Sequence, residues 1–255
     1  MDLLVSVITP MFNNEAVIVD TVNSVRQQTY PHWELILIDD ASTDHTNIII
    51  QSLLEQDTRI QLYKHLKNKG TSEARNLGTK MAKGDVIAFL DADDKWHKYK
   101  LELQLKALKS ADVCFGSYEL IDENSKPLNK KVNALNTLSY KKLLRANYIG
   151  NLTGVYNVNT IGKIYTKDLK KRQDWLLWLE ALRRSKKPAI GLQETIAYYR
   201  ISKGSLSSNK TNLIKHNFYA YRKGLGYSYL KSIVYMVLFL FEHLIIKRRL
   251  IRSIP

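Results

Sequence analysis

The sequence predicts an α/β fold: a mostly parallel sheet flanked by helices, followed by a helical, basic C-terminal extension. Three observations carry this. Short apolar runs alternate with segments whose apolar residues recur at helical spacing, the pattern of buried parallel strands joined by crossover helices. Two of the runs, Leu35-Ile36-Leu37-Ile38 and Val86-Ile87-Ala88-Phe89-Leu90, end in paired carboxylates, Asp39-Asp40 and Asp91-Ala92-Asp93-Asp94. Charge is also divided sharply: residues 1–125 carry 13 Lys/Arg against 19 Asp/Glu, and residues 126–255 carry 26 against 5. The halves therefore stand at −6 and +21, which makes the second half the one suited to a polyanionic surface.

The elements follow in order. A strand over residues 4–8 stops at Pro10, and Ala16, Val17, Val22 and Val25 mark one face of a helix. The strand at 35–38 is followed by a helix carrying Ile48, Ile49, Leu53 and Leu54, then a strand at 60–63. Lys69-Gly70-Thr71-Ser72 opens a helix running to Met81, with Ser72 or Thr71 as cap, and the strand ending at Leu90 comes next. Leu101, Leu105 and Leu108 belong to an amphipathic helix, and residues 112–116 to a further strand. Residues 123–136 are polar and Lys-rich and read as a long loop. Beyond it lie a helix over 138–144, a strand over 151–156, and a helix with Leu176, Leu179 and Leu182 opened by Lys170-Lys171-Arg172-Gln173-Asp174. Residues 198–208 form a Ser/Gly loop with cations, either closing over phosphates or acting as a linker. These divisions give three parts: 1–122, 123–208 and a basic amphipathic tail over 209–255.

At 255 residues the chain can form one large α/β domain with its own core. Its single cysteine, Cys114, sits in an apolar run, forbids an internal disulfide and fits a reducing compartment. Met1-Asp2 leads directly into a strand with no basic leader, so the expected location is the cytoplasmic side. In the tail, the nine apolar residues 233–241 are too short to span a bilayer, and Glu242 interrupts any longer window. Lys247, Arg248, Arg249 and Arg252 edge the helix, so the expectation is a segment lying in the plane of an anionic membrane. The alternative is a helix packed on the core or on a partner.

Carboxylates at the end of a doubly buried strand repel one another and resist desolvation, unless a cation or hydrogen bonds compensate. An all-oxygen pair, Asp91 with Asp93, suits Mg2+ or Mn2+, and the carboxyl edge of a parallel sheet is where a diphosphate would be clamped. Helix capping is the alternative, and Asp94 suits it. Arg75, one turn into its helix, either faces an anion or is a solvated surface residue. His97 reads as a surface residue. Asp174, one of five acids in the basic half, is either a helix cap or a general base tuned by nearby cations. The turn after the first strand has neither a Gly-rich dinucleotide fingerprint nor a phosphate-binding loop of the Walker type.

Taken together, Ser6-Val7-Ile8-Thr9-Pro10-Met11-Phe12-Asn13-Asn14-Glu15, Ser24-Val25-Arg26-Gln27-Gln28-Thr29-Tyr30, Trp33 to Asp44, Ala74-Arg75-Asn76 and Phe89 to Asp94 resemble the family 2 inverting glycosyltransferases of the GT-A, Rossmann-like fold. Arg172-Gln173-Asp174, Trp178-Leu179, Tyr199-Arg200 and Ser205 are similar to the bacterial branch that builds capsular, teichuronic or O-antigen polysaccharides. The resemblance implies that Pro10, Phe12, Glu15 and Asp40 hold the nucleoside, that Arg75 approaches base or phosphates, and that Asp91 and Asp93 hold Mn2+ or Mg2+ on the donor diphosphate. Asp174 is then the base toward a lipid-linked or oligosaccharide acceptor. One departure is Gln173, where many members carry Glu before the aspartate. Two other readings stand beside this one: a phosphatase of the haloacid dehalogenase type, whose Asp-x-Asp also follows a strand, and a non-catalytic binder of nucleic acid or anionic membrane. No nucleic-acid motif supports the latter.

Overall fold

A computed structural model describes residues 2–167, 169, 171–201 and 210–254. The parallel half consists of β1 (Val5–Met11), β2 (Trp33–Asp39), β3 (Ile60–Lys64) and β4 (Val86–Phe89), in the order β3-β2-β1-β4. Helices α1 (Ile18–Arg26), α2 (Thr46–Gln56) and α3 (Thr71–Met81) make the crossovers. The strand order reverses at β1, and the carboxyl ends of β1, β2 and β4 open there on a crevice.

Alternation along each strand builds a core on both faces. Val5, Val7, Leu35, Leu37, Val86 and Ala88 pack one way, whereas Ile8, Ile36, Ile38, Ile87 and Phe89 pack the other. Burial on both sides is why these strands are continuous apolar runs.

The sheet continues through β9 (Val155–Asn157), which pairs antiparallel with β4 and with β6 (Val113–Ile121), and then through β7 (Pro127–Val132) and β11 (Ile251–Ser253). β10 (Ala189–Arg200) runs parallel to β6 and also meets β5 (Lys95–Trp96) and β8 (Thr137–Leu138). Parallel pairing carries the longer registers of this eleven-stranded sheet. The remaining helices are α4 (Lys100–Ala107), α5 (Tyr140–Leu143), α6 (Val158–Ile161), α7 (Gln173–Ser185), α8 (Lys210–Tyr219) and α9 (Tyr229–Phe241).

Several expectations change. β1 runs through Pro10 to Met11: β4 has already ended opposite Ile8, so on that side no ladder bond needs the missing N–H. The expected loop at 123–136 contains β7, a largely exposed strand between β6 and β11 whose polar residues hid it. Tyr198 to Arg200 close the twelve-residue strand β10 rather than starting a loop, and 202–208, like Lys170, lie outside the described residues. The expected strand at 151–156 begins as a 3₁₀ turn, Asn151–Thr153, and becomes β9 only at Val155. The cap of α3 is Gly70, at φ +86°, instead of Ser72 or Thr71.

The tail is one continuous helical segment, Tyr229–Leu250, of 22 residues, long and apolar enough by length and composition to cross a membrane, contrary to the expectation from residues 233–241 alone. One face packs on the body through Ser232, Met236, Phe239 and Glu242. Glu242 is 2% exposed and accepts from Lys142 Nζ at 2.8 Å and from Tyr148 Oη at 2.5 Å. β11 then pairs with β7, so both ends of the helix are tied to the same body.

Candidate active site

Four chain segments meet at the carboxyl edge of the parallel strands. Pro10, Met11 and Phe12 leave β1, Asp40 leaves β2, Thr71, Ala74 and Arg75 come from the first turns of α3, and Asp91, Ala92 and Asp93 follow β4. Together they line a pocket of about 290 Å³. Six of the expected site residues, Pro10, Phe12, Asp40, Arg75, Asp91 and Asp93, are thus brought together. Glu15 is not in this lining: its carboxylate is exposed and accepts from the backbone N–H of His45 at 2.8 Å.

Local hydrogen bonds fix the rim. Asn13 adopts φ +54° and Ala41 φ +65°, and the loops after β1 and β2 interlock where Thr43 N donates to Asn13 Oδ1 at 2.8 Å and Asn13 N donates to Ser42 Oγ at 3.0 Å. Asp40 is buried and accepts from Lys69 N at 2.9 Å and Gly70 N at 2.7 Å, with His65 Nδ1 at 2.7 Å from the same carboxylate. It therefore ties the β2 edge to the entrance of α3. Gly70 makes this possible, because its left-handed backbone turns its N–H toward Asp40.

Arg75 is buried, not a solvated surface residue. Its Nη2 lies 2.5 Å from Asp91 Oδ1, and its Nε has no partner. Burial alone would lower its pKa, but the carboxylates of Asp91, Asp174 and Asp93 outweigh it and raise it. Asp174, at the start of α7, is thus near enough to act on Arg75, although it does not line this pocket. The cap of α7 is Arg172, in the left-handed region at φ +71°; Asp174 lies inside the first turn and accepts from Asn147 Nδ2 at 2.9 Å.

Asp93 lies in a concave part of the surface where water reaches it but protein surrounds most of it. Burial, then the charge of Asp91, holds its carboxyl above the ordinary range. Among the described residues no three His, Cys, Asp or Glu side chains gather as a ready-made metal cluster. A pair of mutually repelling carboxylates, one of them half-neutralised by Arg75, still fits a hard divalent ion that takes few protein oxygens and completes its shell with water and phosphate. Asp94 is not a helix cap. It is buried, accepts from the backbone N–H of Arg200 at 2.9 Å, and has its pKa raised well above the usual range by burial and by Asp93 and Asp91.

Two residues at the site escaped sequence reasoning. Asn151, in the 3₁₀ turn before β9, reaches Asp91 Oδ1 at 3.5 Å and leaves its own amide oxygen buried without a partner. Arg200, placed by the sequence in a cationic loop and in the pattern shared with the bacterial branch but given no contact there, has a buried guanidinium that donates to the carbonyls of Asp93 at 2.7 Å and Glu123 at 2.8 Å, locking the acid turn to β10. No local pattern announces either role, since both depend on contacts many residues away. Tyr199, next to the clamp, has its hydroxyl pushed up to about 12 by burial and by Asp94, Asp93, Asp91 and Asp174.

Comparison with known proteins bears on the family and the fold. A family model described as glycosyl transferase family 2 matches residues 6–187. TuaG of Bacillus subtilis (strain 168), whose name assigns it provisionally to teichuronic acid biosynthesis as a glycosyltransferase, is 40% identical over 222 residues, covering 86% of this chain and 88% of its own. WfgD of Escherichia coli, named as a UDP-Glc:alpha-D-GlcNAc-diphosphoundecaprenol beta-1,3-glucosyltransferase, is 37% identical over 219 residues, 85% of each chain. Among solved structures, residues 1–349 of S. aureus TarS in complex with UDP-GlcNAc superpose with a TM-score of 0.72 at 20% identity, over 94% of this chain and 72% of that one, a likeness of fold. The Asp-x-Asp turn follows β4, the fourth strand, whereas a dehalogenase-type phosphatase carries its motif on the first.

Proposed function

The chain belongs to glycosyl transferase family 2, and from that premise we propose that it moves a sugar from a UDP-linked donor to a hydroxyl of a lipid-linked or growing polysaccharide acceptor, with inversion at the anomeric carbon. The observation that carries this reading is the gathering of Arg75, Asp91 and Asp93 around one pocket at the carboxyl edge of the sheet, with Asp174 near enough for its charge to act on Arg75. The relatives named for teichuronic acid biosynthesis and for a diphosphoundecaprenol acceptor support the substrate class.

Pro10, Phe12 and Asp40 cradle the nucleoside, with Glu15 bracing the neighbouring loop through His45. Arg75 holds Asp91 in place and offers positive charge to the donor phosphates. Asp91 and Asp93 would hold Mn2+ or Mg2+, which, when bound, stabilises the negative charge gathering on the departing nucleoside diphosphate. Asp174 accepts the acceptor hydroxyl proton while that oxygen bonds to the anomeric carbon and the bond from carbon to the diphosphate oxygen breaks. Asn147 orients the carboxylate for this. The exposed face of the tail helix, with Leu230, Ile233, Val234, Val237, Phe241 and Leu244, rests on the inner surface of an anionic membrane, with Arg248 and Arg249 beside it.

The test is release of nucleoside diphosphate from a panel of UDP- and GDP-linked hexoses with Mn2+, wild type against Asp174→Asn. Wild type releases UDP; the variant binds UDP equally well but transfers about 10² to 10⁴ times more slowly. Full activity of the variant, or no binding of any nucleotide sugar to folded wild type, overturns the assignment.

A further inference from the structure

A second, smaller polar cavity lies behind Asp174, between α7, α8 and the tail helix. Asn147, Arg172, Trp175, Asn217, His243 and Lys247 line it. Asn217 is fully buried, yet neither its amide oxygen nor its amide nitrogen has a hydrogen-bond partner. The Nε of Arg172 is likewise buried and unpartnered. Native interiors rarely leave such groups unmatched, so three orphaned polar atoms around one cavity mark a place for a polar ligand.

The charge of the cavity says which kind. Arg172, Lys247 and His243 converge on it. Burial and the Arg172 guanidinium push the Lys247 ammonium down to about 8, against the pull of Asp174. Burial, and then Lys247, Arg172 and Arg248, likewise depress His243. Two other acids of the basic half are committed elsewhere: Glu180 to Arg183 and Arg184, and Glu242 to Lys142 and Arg145. Cations crowded this way repel one another until an anion joins them.

We infer that this cavity is a subsite for a phosphoryl group, the diphosphate of the acceptor. Asn147 links it to the base: its side chain donates to Asp174 Oδ2 at 2.9 Å, and its carbonyl accepts from Lys247 Nζ at 2.5 Å. In a lipid-linked acceptor the sugar that gives up its proton is attached to a diphosphate, so an anion site adjoining the base is where that acceptor needs one. The helix that supplies His243 and Lys247 inward turns Phe241 and Leu244 outward, which puts the subsite under the face assigned to the membrane. The identity of the acceptor rests on the transfer reading above; the anion site does not.

Calorimetric titration of the full chain in EDTA, with farnesyl diphosphate, farnesol and inorganic pyrophosphate as probes, tests this, and UDP binding in Mn2+ is followed in parallel. The expected result is that farnesyl diphosphate binds, pyrophosphate competes with it, and farnesol does not bind. Lys247→Ala then weakens farnesyl diphosphate about tenfold with UDP affinity unchanged, and Lys247→Arg restores it. Equal affinity for farnesol, failure of pyrophosphate to compete, or an equal loss of UDP binding overturns the subsite. Asn217→Asp gives an independent reading, because it places a carboxylate of the same shape among the cations. It is expected to raise the melting temperature of the ligand-free protein and to abolish the stabilisation that pyrophosphate gives wild type; a lowered melting temperature with that stabilisation intact overturns the inference. Protein that binds farnesyl diphosphate but no nucleotide sugar would refute the transfer reading and leave the subsite standing.

Discussion

Lys100 offers a quantitative test of the packing behind the site. It is fully buried, its ammonium donates to Gln104 Oε1 and lies 4.2 Å from the ring centroid of Trp96, and burial lowers its pKa to about 7. Gln104 Nε2 in turn donates to the Thr153 carbonyl at 2.7 Å, and Trp96 Nε1 to that of Leu152 at 2.8 Å, so this cluster braces the turn that carries Asn151 to Asp91. In the unfolded chain the lysine keeps its ordinary value of 10.5. Between these values the unfolded state binds more protons than the folded state, so stability rises with pH in this window, and the burial penalty is fully present below about pH 7. Between about pH 7 and pH 9 this one group should add about 2 kcal/mol. Lys100→Met keeps the shape and removes the titration, at the expense of orphaning Gln104 Oε1, which costs on the order of 1–3 kcal/mol at every pH. The quantity to measure is therefore the difference in urea-unfolding free energy between wild type and variant as a function of pH. Wild type gains on the variant by about 2 kcal/mol over the window. A difference independent of pH would show that the buried ammonium is not held near neutrality and would refute the reasoning.

The remaining predictions concern the site and the tail. Asp93→Asn relieves repulsion with Asp91 and removes one of the two carboxylates proposed to hold the cation, so Mn2+-dependent UDP affinity should fall at least tenfold in calorimetry while the melting temperature holds or rises. Arg200→Met strips the clamp from the carbonyls of Asp93 and Glu123 and should cost about 3 kcal/mol in chemical denaturation, with weaker nucleotide binding as the acid turn loosens. Val237→Glu, on the outer face of the tail helix, should sharply reduce sedimentation with phosphatidylglycerol vesicles and leave the melting temperature within about a degree, since the side chain is 62% exposed.

What the sequence disclosed depended on how local the signal was. β1, β2 and β4 were legible because burial on both faces leaves unbroken apolar runs such as Leu35 to Ile38, and their closing acids marked the site edge. β10 was not: Gly191, Gln193, Glu194 and Thr195 break its alternation, and its register with β6 shifts on both sides of Thr195. β7 looked like a loop because Pro127, Asn129 and Lys130 are exposed on a strand whose outer partner, β11, lies more than a hundred residues later. Asp91, Asp93 and Arg75 could be singled out from their place at the end of a strand or the start of a helix. Asn151 and Arg200 could not, because an asparagine in a turn and an arginine at a strand end become site residues only once β9 and β10 are laid beside β4 and β5.

The stitching of Ile251–Ser253 onto β7 bears on how the protein is handled at the bench. Trimming the last thirty or so residues to improve solubility would do more than remove a greasy appendage. It would bare the β7 edge, strand Lys142 and Tyr148 without Glu242, and uncover Trp175, whose ring lies 6.2 Å from that of Phe239. An inactive truncated enzyme would therefore say nothing about targeting to lipid, and single outward-facing substitutions are the cleaner instrument for that question.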